Sequence, residues 1–210
     1  MRRNNDETNI LATWQEEPDI AFQWLNKPKD YKIHDGALII TTGPENDFFI
    51  DPITHESKAN APFLFREMSG DFVMTAVVQP DFSDMWNAVS LMVYMDSLHW
   101  MKHAFEKSDA TGKSIVSLMT KGTSDDANGP ILSELDKVWL KIVRVKSCYA
   151  MHWSGDGKTY HMARLAEMSG YDKIKIGVSA QCPAGEQALH QILHLSIEQS
   201  SVKDLRNANH

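Results

Sequence analysis

An all-β sandwich is the fold this sequence predicts, and three observations predict it. Short alternating or β-branched runs recur along the chain with turn residues between them. Helical periodicity is hard to find. The 210 residues, 42% of them hydrophobic, suffice for one buried core, and no linker, repeat or low-complexity stretch divides them.

The elements follow in chain order. The first 13 residues are polar and are expected to be poorly ordered, so the domain should run over residues 14–200. GALIITT (36–42) reads as a strand that ends at GPEND, and DFVMTAVVQP (71–80) as one closed by Pro80. AVSLMVYM (88–95) and HWMKHAFEK (99–107) form an adjacent pair with a loop over 95–99. SIVSLMTK (114–121) follows a DATGK turn, and TSDDANGP (123–130) reads as a solvated, oxygen-rich loop without the ligand spacing of an EF-hand. KVWLKIVRVK (137–146) and SCYAMHWS (147–154) are again extended, and GDGKTYHMARL (155–165) opens on a Gly-Asp-Gly turn. KIKIGVSAQ (173–181) is a strand. LHQILHLSIEQ (189–199) fits a helix by period, but its Ser, Ile and Leu content and its place after a Pro-Gly loop favour a strand. Residues 201–210 are expected to form a loose tail.

The formal net charge of −7 argues against nucleic acid, because phosphates need a basic surface. Arg2 and Arg3 have no apolar run behind them, and no stretch is long enough to span a bilayer. A cytoplasmic chain with no membrane partner is therefore expected. Cys148 and Cys182, the two cysteines, lack CxxC spacing and read as free thiols in a reducing compartment.

Pairing the strands at 88–95 and 99–107 as a hairpin sorts their side chains. Val89, Leu91, Val93, Met101, His103 and Phe105 share a nearly apolar face and should point to the core. Tyr94 then lies opposite Trp100, and Met92 opposite Lys102. Trp100, Lys102 and Glu106 fall on the other face. If that face is convex, its charges are ordinary solvated residues. If it is the hollow side of a curved sheet, Trp100 and Tyr94 form a stacking platform for a sugar ring or a partner side chain. The alternation leaves both readings open.

Further motifs bear on this choice. FQWLNKPKDYKIHDGALIITT (22–42), NDFF (46–49), NAPFLF (60–65), GDFVMTAVV (70–78), the Trp100, Lys102, Glu106 strand, Ser124–Asp125 and SGDGKTY (154–160) occur in one order. In this ordered set the chain resembles a domain-of-unknown-function family of concanavalin A-like jelly-roll proteins that includes the yeast "regulation of enolase" protein. It is similar, more distantly, to the C-terminal domains of β-xylosidases. The resemblance implies an all-β, concanavalin A-like β-sandwich of two antiparallel sheets, one of them curved with a concave groove. It implies little about chemistry. The chain departs from the family pattern in the step where members often have a small residue, as in Ala-Gly-Leu, and this chain has Ser90 before Leu91; it departs again at Asp126, after Ser124–Asp125, where an aromatic is frequent.

Catalytic signatures are sparse. A glycosidase needs two carboxyls flanking the scissile bond, and the compact Glu-x-Asp-x-x-Glu strand motif is absent. Asp109 falls in a turn, which leaves Asp47 or Asp125 as partners for Glu106 from other strands. Glu106 near Lys102 reads as an ion pair with its carboxyl shifted down, a poor general acid. Neither a Gly-x-Ser-x-Gly elbow nor a phosphate-binding glycine loop occurs. The nine His are scattered, with no HExxH, and no metal or cofactor is assigned. His103 reads as a buried, hydrogen-bonded core histidine.

The expected function is non-catalytic binding of a carbohydrate or sugar-like small molecule in the groove. Trp86, Tyr94 and Trp100 would stack on it, and Lys102, Glu106 and Asp125 would orient it. Two alternatives stand beside this reading. One is a glycoside hydrolase using Glu106; the other is a regulatory protein that binds a metabolic enzyme. A homodimer is the further partner considered. Titration of the unfolded, unreduced protein should count two thiols; a count of zero would indicate a bridge and an oxidising compartment.

Overall fold

The computed structural model describes residues 9–109 and 112–207. A 3-10 turn, Ile10–Thr13, leads into β1 (Gln23–Leu25), β2 (Asp30–His34) and β3 (Ala37–Thr42). Two short strands follow, β4 (Phe48–Ile50) and β5 (Ser57–Ala59), then β6 (Phe63–Ser69) and β7 (Phe72–Gln79). The centre holds β8 (Ala88–Asp96), β9 (His99–Ser108), β10 (Gly112–Lys121) and β11 (Thr123–Ile131). The chain continues with β12 (Val138–Val145), β13 (Cys148–Ser154), β14 (His161–Glu167), β15 (Lys173–Gln181) and β16 (Ala188–Glu198).

Two seven-stranded sheets form, in the orders β1-β6-β15-β8-β9-β10-β11 and β14-β13-β12-β7-β16-β3-β2. Every pairing within them is antiparallel. The sheets face each other over a core built by alternation, interrupted in β16 by a register shift between Ile192 and His194. Leu91, Val93, Met101, Phe105 and Ile115 of the first sheet pack on Met74, Ala76, Leu140 and Ile142 of the second. This is the expected concanavalin A-like sandwich. Among the described residues no helix is long and apolar enough to cross a membrane.

The predicted hairpin register is the observed one: Tyr94 lies opposite Trp100, and Met92 opposite Lys102. The turn between them is tighter than residues 95–99, since β8 reaches Asp96 and β9 starts at His99. His103 is fully buried, as expected. Its Nε2–H donates to the carbonyl of His152 across the sandwich at 2.8 Å. Burial pushes its pKa down to about 4, so the ring is neutral. Residues 188–198 form a strand, not a helix.

Three expectations need correction. TSDDANGP is not a loop but most of β11, an edge strand paired with β10. An edge needs ladder bonds on one side only, so polar residues and Pro130 are tolerated there. The polar start of the domain is ordered earlier than residue 14: the Asn9 side chain accepts from Leu11 and Leu195 N–H and donates to the Gly36 carbonyl, and Leu11 is buried. The tail docks as far as Leu205, whose carbonyl accepts from His152 Nε2. Residues 1–8 and 208–210 of the expected loose ends lie outside the described residues, as do Ala110 and Thr111 of the DATGK turn.

The third correction concerns Trp100. It lies on the non-core face as expected, but that face is not open around it. The β4–β5 hairpin lies across this end of the first sheet, and Phe48, Ile50, Phe63, Phe65, Met92, Trp100 and Leu118 form a second apolar core beneath it. Trp100 is 0% exposed, edge-on to Phe48 at 5.9 Å and stacked on Tyr94 at 6.2 Å. A Ser124 hydroxyl that accepts from the Ile50 N–H at 2.9 Å pins the hairpin to the edge strand. Trp100→Ala should therefore cost about as much stability as Phe105→Ala, roughly 3–5 kcal/mol for a buried aromatic. Urea unfolding of both variants measures it; a loss at Trp100 near zero would mean that the hairpin does not cover the indole.

Candidate functional site

The outer face of the first sheet is arranged in rows across the strands. Gln181, Ala88, Glu106 and Ser114 share one row; Ser179, Ser90, Ala104, Val116 and Asn128 the next; Gly177, Met92, Lys102, Leu118 and Asp126 a third. The β4–β5 hairpin covers the far end of this face. The near end stays open as a cavity of about 420 Å³. Its floor is Ala104, Val116 and Leu118; Asp47, Phe49, Asp51, Glu56 and Lys58 wall it from the hairpin side. Trp86 and Pro183 stand on the other side, and Lys102, Glu106, Asp126 and Gln181 contribute polar groups.

Lys102 is buried and donates to Asp47 Oδ1 at 2.9 Å and to Gln181 Oε1 at 2.8 Å. Gln181 turns its amide outward, and Nε2 donates to the Trp86 carbonyl at 3.1 Å. Trp86 has φ +61°, a left-handed conformation that costs a non-glycine residue roughly 1–3 kcal/mol. It is held there by its own N–H, which donates to the Lys107 carbonyl at 2.8 Å. Its side chain stays 42% exposed at the cavity rim.

Glu106 differs from the ion-paired residue the sequence suggests. Lys102 pairs with Asp47 instead, and among the described residues no hydrogen bond reaches the Glu106 carboxyl. The side chain faces the cavity and the residue is only 8% exposed. Burial pushes its pKa up to about 8; Lys102 pulls it back, while Asp126, Asp47 and Asp109 push it further up. At neutral pH it is a protonated carboxylic acid, able to donate as well as accept. Asp126 is exposed on the edge strand, yet desolvation on its cavity side raises it too, against the pull of Lys102 and of the Ala127 N–H.

Of the six residues singled out by sequence, the structure brings Trp86, Lys102 and Glu106 to the cavity. Tyr94 and Trp100 lie under or beside the hairpin, stacked on each other, so neither offers a free ring face to the cavity. Asp125 points to the opposite side of the edge strand, where Arg164 Nη2 reaches it at 3.4 Å; its neighbour Asp126 takes the cavity position. Sequence reasoning missed Gln181, which ends β15 on the same face as Ser179, and the whole hairpin wall. Alternation in KIKIGVSAQ carried the first signal. The second lay in the aromatic NDFF stretch, read only as a motif.

A family model described as "Protein of unknown function (DUF1349)" matches residues 24–200. The chain is 28% identical over 160 residues to "Regulation of enolase protein 1" of Saccharomyces cerevisiae, covering 76% of this chain and 80% of the relative. It is similar to a crystal structure titled as a functionally unknown protein from Saccharomyces cerevisiae, with 26% identity, TM-score 0.78, and coverage of 85% of this chain and 96% of that one. A GH43 protein from Bacillus licheniformis shares the fold alone, at 16% identity and TM-score 0.72. That match covers 94% of this chain but 40% of the GH43 chain.

The raised carboxyl has a stability consequence. Unfolded, Glu106 releases its proton near its ordinary 4.5; folded, it holds the proton to about 8. Between those values the folded state binds the extra proton, so this group's contribution to stability falls as pH rises through the window. The decline should be on the order of 3–5 kcal/mol and should vanish in Glu106→Gln. Urea unfolding of both proteins at pH 5, 7 and 9 checks it; parallel curves would show an ordinarily ionised Glu106.

Proposed function

The chain belongs to the DUF1349 family, and from that premise we propose that it is a non-catalytic binding domain for a sugar-like small molecule held in the open half of the groove. One observation carries the reading: an apolar floor with a small set of converging polar groups and a half-exposed indole at the rim. Flat apolar faces and many hydroxyls are what a sugar ring offers. Trp86 supplies the matching aromatic face. Lys102, Gln181, Asp126 and the protonated Glu106 supply donors and acceptors for hydroxyls. The cavity volume falls in the usual range for small-ligand sites, roughly 300–1,000 Å³.

The strained backbone at Trp86 supports the same reading. The Lys107 carbonyl and Gln181 hold it from both sides, and strain of this kind clusters at ligand clamps. Two free thiols fit a reducing, cytoplasmic setting.

A regulatory role for the loaded domain is a second reading, favoured by the name of the yeast relative. In it, ligand in the groove would alter the surface formed by the β4–β5 hairpin, whose tip carries the 86% exposed Ile53.

A glycan-array screen of the wild-type protein, repeated with Trp86→Ala, tests the binding reading. A lost aromatic platform costs about 1–3 kcal/mol, taking base stacking as the scale, so binding should weaken by roughly tenfold to a hundredfold with unchanged melting. Equal binding by Trp86→Ala would remove the indole from the site. Turnover of a bound glycoside by the wild type that Glu106→Gln abolishes would make the protein a hydrolase instead.

A further inference from the structure

The cavity is acidic. Five carboxyl side chains line it, against two lysines. Of the lysines, Lys102 already serves Asp47 and Gln181. Asp51 is likewise engaged, since its Oδ1 accepts from the N–H groups of Ile53 and Thr54 at 2.7 and 2.8 Å. Glu106 is not engaged. The residue is only 8% exposed, its carboxyl faces the cavity, and it receives no hydrogen bond among the described residues. Buried polar groups in native proteins are nearly always paired, and one that is not is a candidate for pairing with something that binds.

The sign of the charge narrows what that is. A neutral polyol would satisfy a lone pair of Glu106 but would leave the surplus of carboxyls uncompensated. An anion would add to it. A cation offsets it, at a place where surrounding low-polarity material strengthens the attraction. Resting on the binding reading above, we propose that the groove takes a ligand bearing a protonated amine, an amino sugar or comparable amino polyol, whose ammonium group faces Glu106 and Asp126 while its ring lies on Trp86.

An ammonium group brings three donors, enough for the Glu106 carboxyl and for Asp126 beside it. The charged groups that face Glu106 are Lys102 on its own strand, Asp126 on β11, Asp47 before the hairpin and Asp109 after β9. Three of those four are acidic, so the incoming cation joins Lys102 in a surround that is mostly negative. Its arrival favours the ionised form of Glu106, and the released proton goes to solvent while the ligand keeps its own. Binding and proton release are thus linked at neutral pH. A neutral sugar gives no such release.

Titration of the full chain with D-glucosamine, N-acetyl-D-glucosamine and D-glucose at neutral pH tests the proposal, followed by the Trp86 indole N–H resonance and by calorimetry in two buffers of different ionisation enthalpy. Glucosamine should bind at least about tenfold tighter than the other two and should release a proton. In Glu106→Gln the preference for glucosamine and the proton release should both disappear, the three sugars then binding alike; Asp126→Asn should reduce the preference in a chain with Glu106 intact. Equal binding of the three sugars, or tighter binding of the acetylated one, would overturn the amine proposal and leave the sugar-binding reading standing. No saturable shift of Trp86 with any of them at concentrations of about 50 mM would overturn both.

Discussion

The groove depends on one buried ammonium. Lys102 stands on the outer face of β9 with almost no exposure, and its charge must be met locally because removing it from water is costly. Asp47 and Gln181 meet it from two different places, the entry to the β4–β5 hairpin and the end of β15. The same contact therefore holds the hairpin down on the sheet. Through the Gln181 amide it also fixes the carbonyl of Trp86 in a conformation that residue would not choose. Floor, wall and rim are tied to one charge.

What Lys102 does for Asp47 it does not do for Glu106. The two share a face of β9 four residues apart, about 13 Å along an extended strand. A long side chain spans part of that distance, but the nearer acid claims it. Glu106 is left facing a half-closed cavity in its neutral form. A neutral carboxyl, an apolar floor and a rim indole suit a polyhydroxylated ring. The surplus of acids suits one with an amine.

Much of the fold was legible because alternation carries it. The register of β8 on β9, the core face of both strands and the burial of His103 follow from parity alone, which is why they match. Parity could not say what lay over the other face. Trp100 reads as a platform until Phe48 and Ile50 arrive from 52 and 50 residues away to cover it. The edge strand β11 was lost for a related reason: with ladder bonds on one side and solvent around it, it has no need of apolar residues, and TSDDANGPI does not look like a strand. Reading it as a loop hid its alternation, and with it the fact that Asp126, not Asp125, faces the groove. The charge pairs were the least legible part, since an ion pair is decided by which group arrives closest in space.

The most direct test of this account is the titration of Glu106 itself. Carbon-13 NMR of the side-chain carboxyl carbon, assigned by comparison with Glu106→Gln, follows its ionisation in the free protein. If Lys102 is committed to Asp47 and Gln181, the midpoint lies near pH 8. A midpoint at or below the ordinary value of 4.5 would mean that Lys102 serves Glu106 after all, and the groove as described here would not exist.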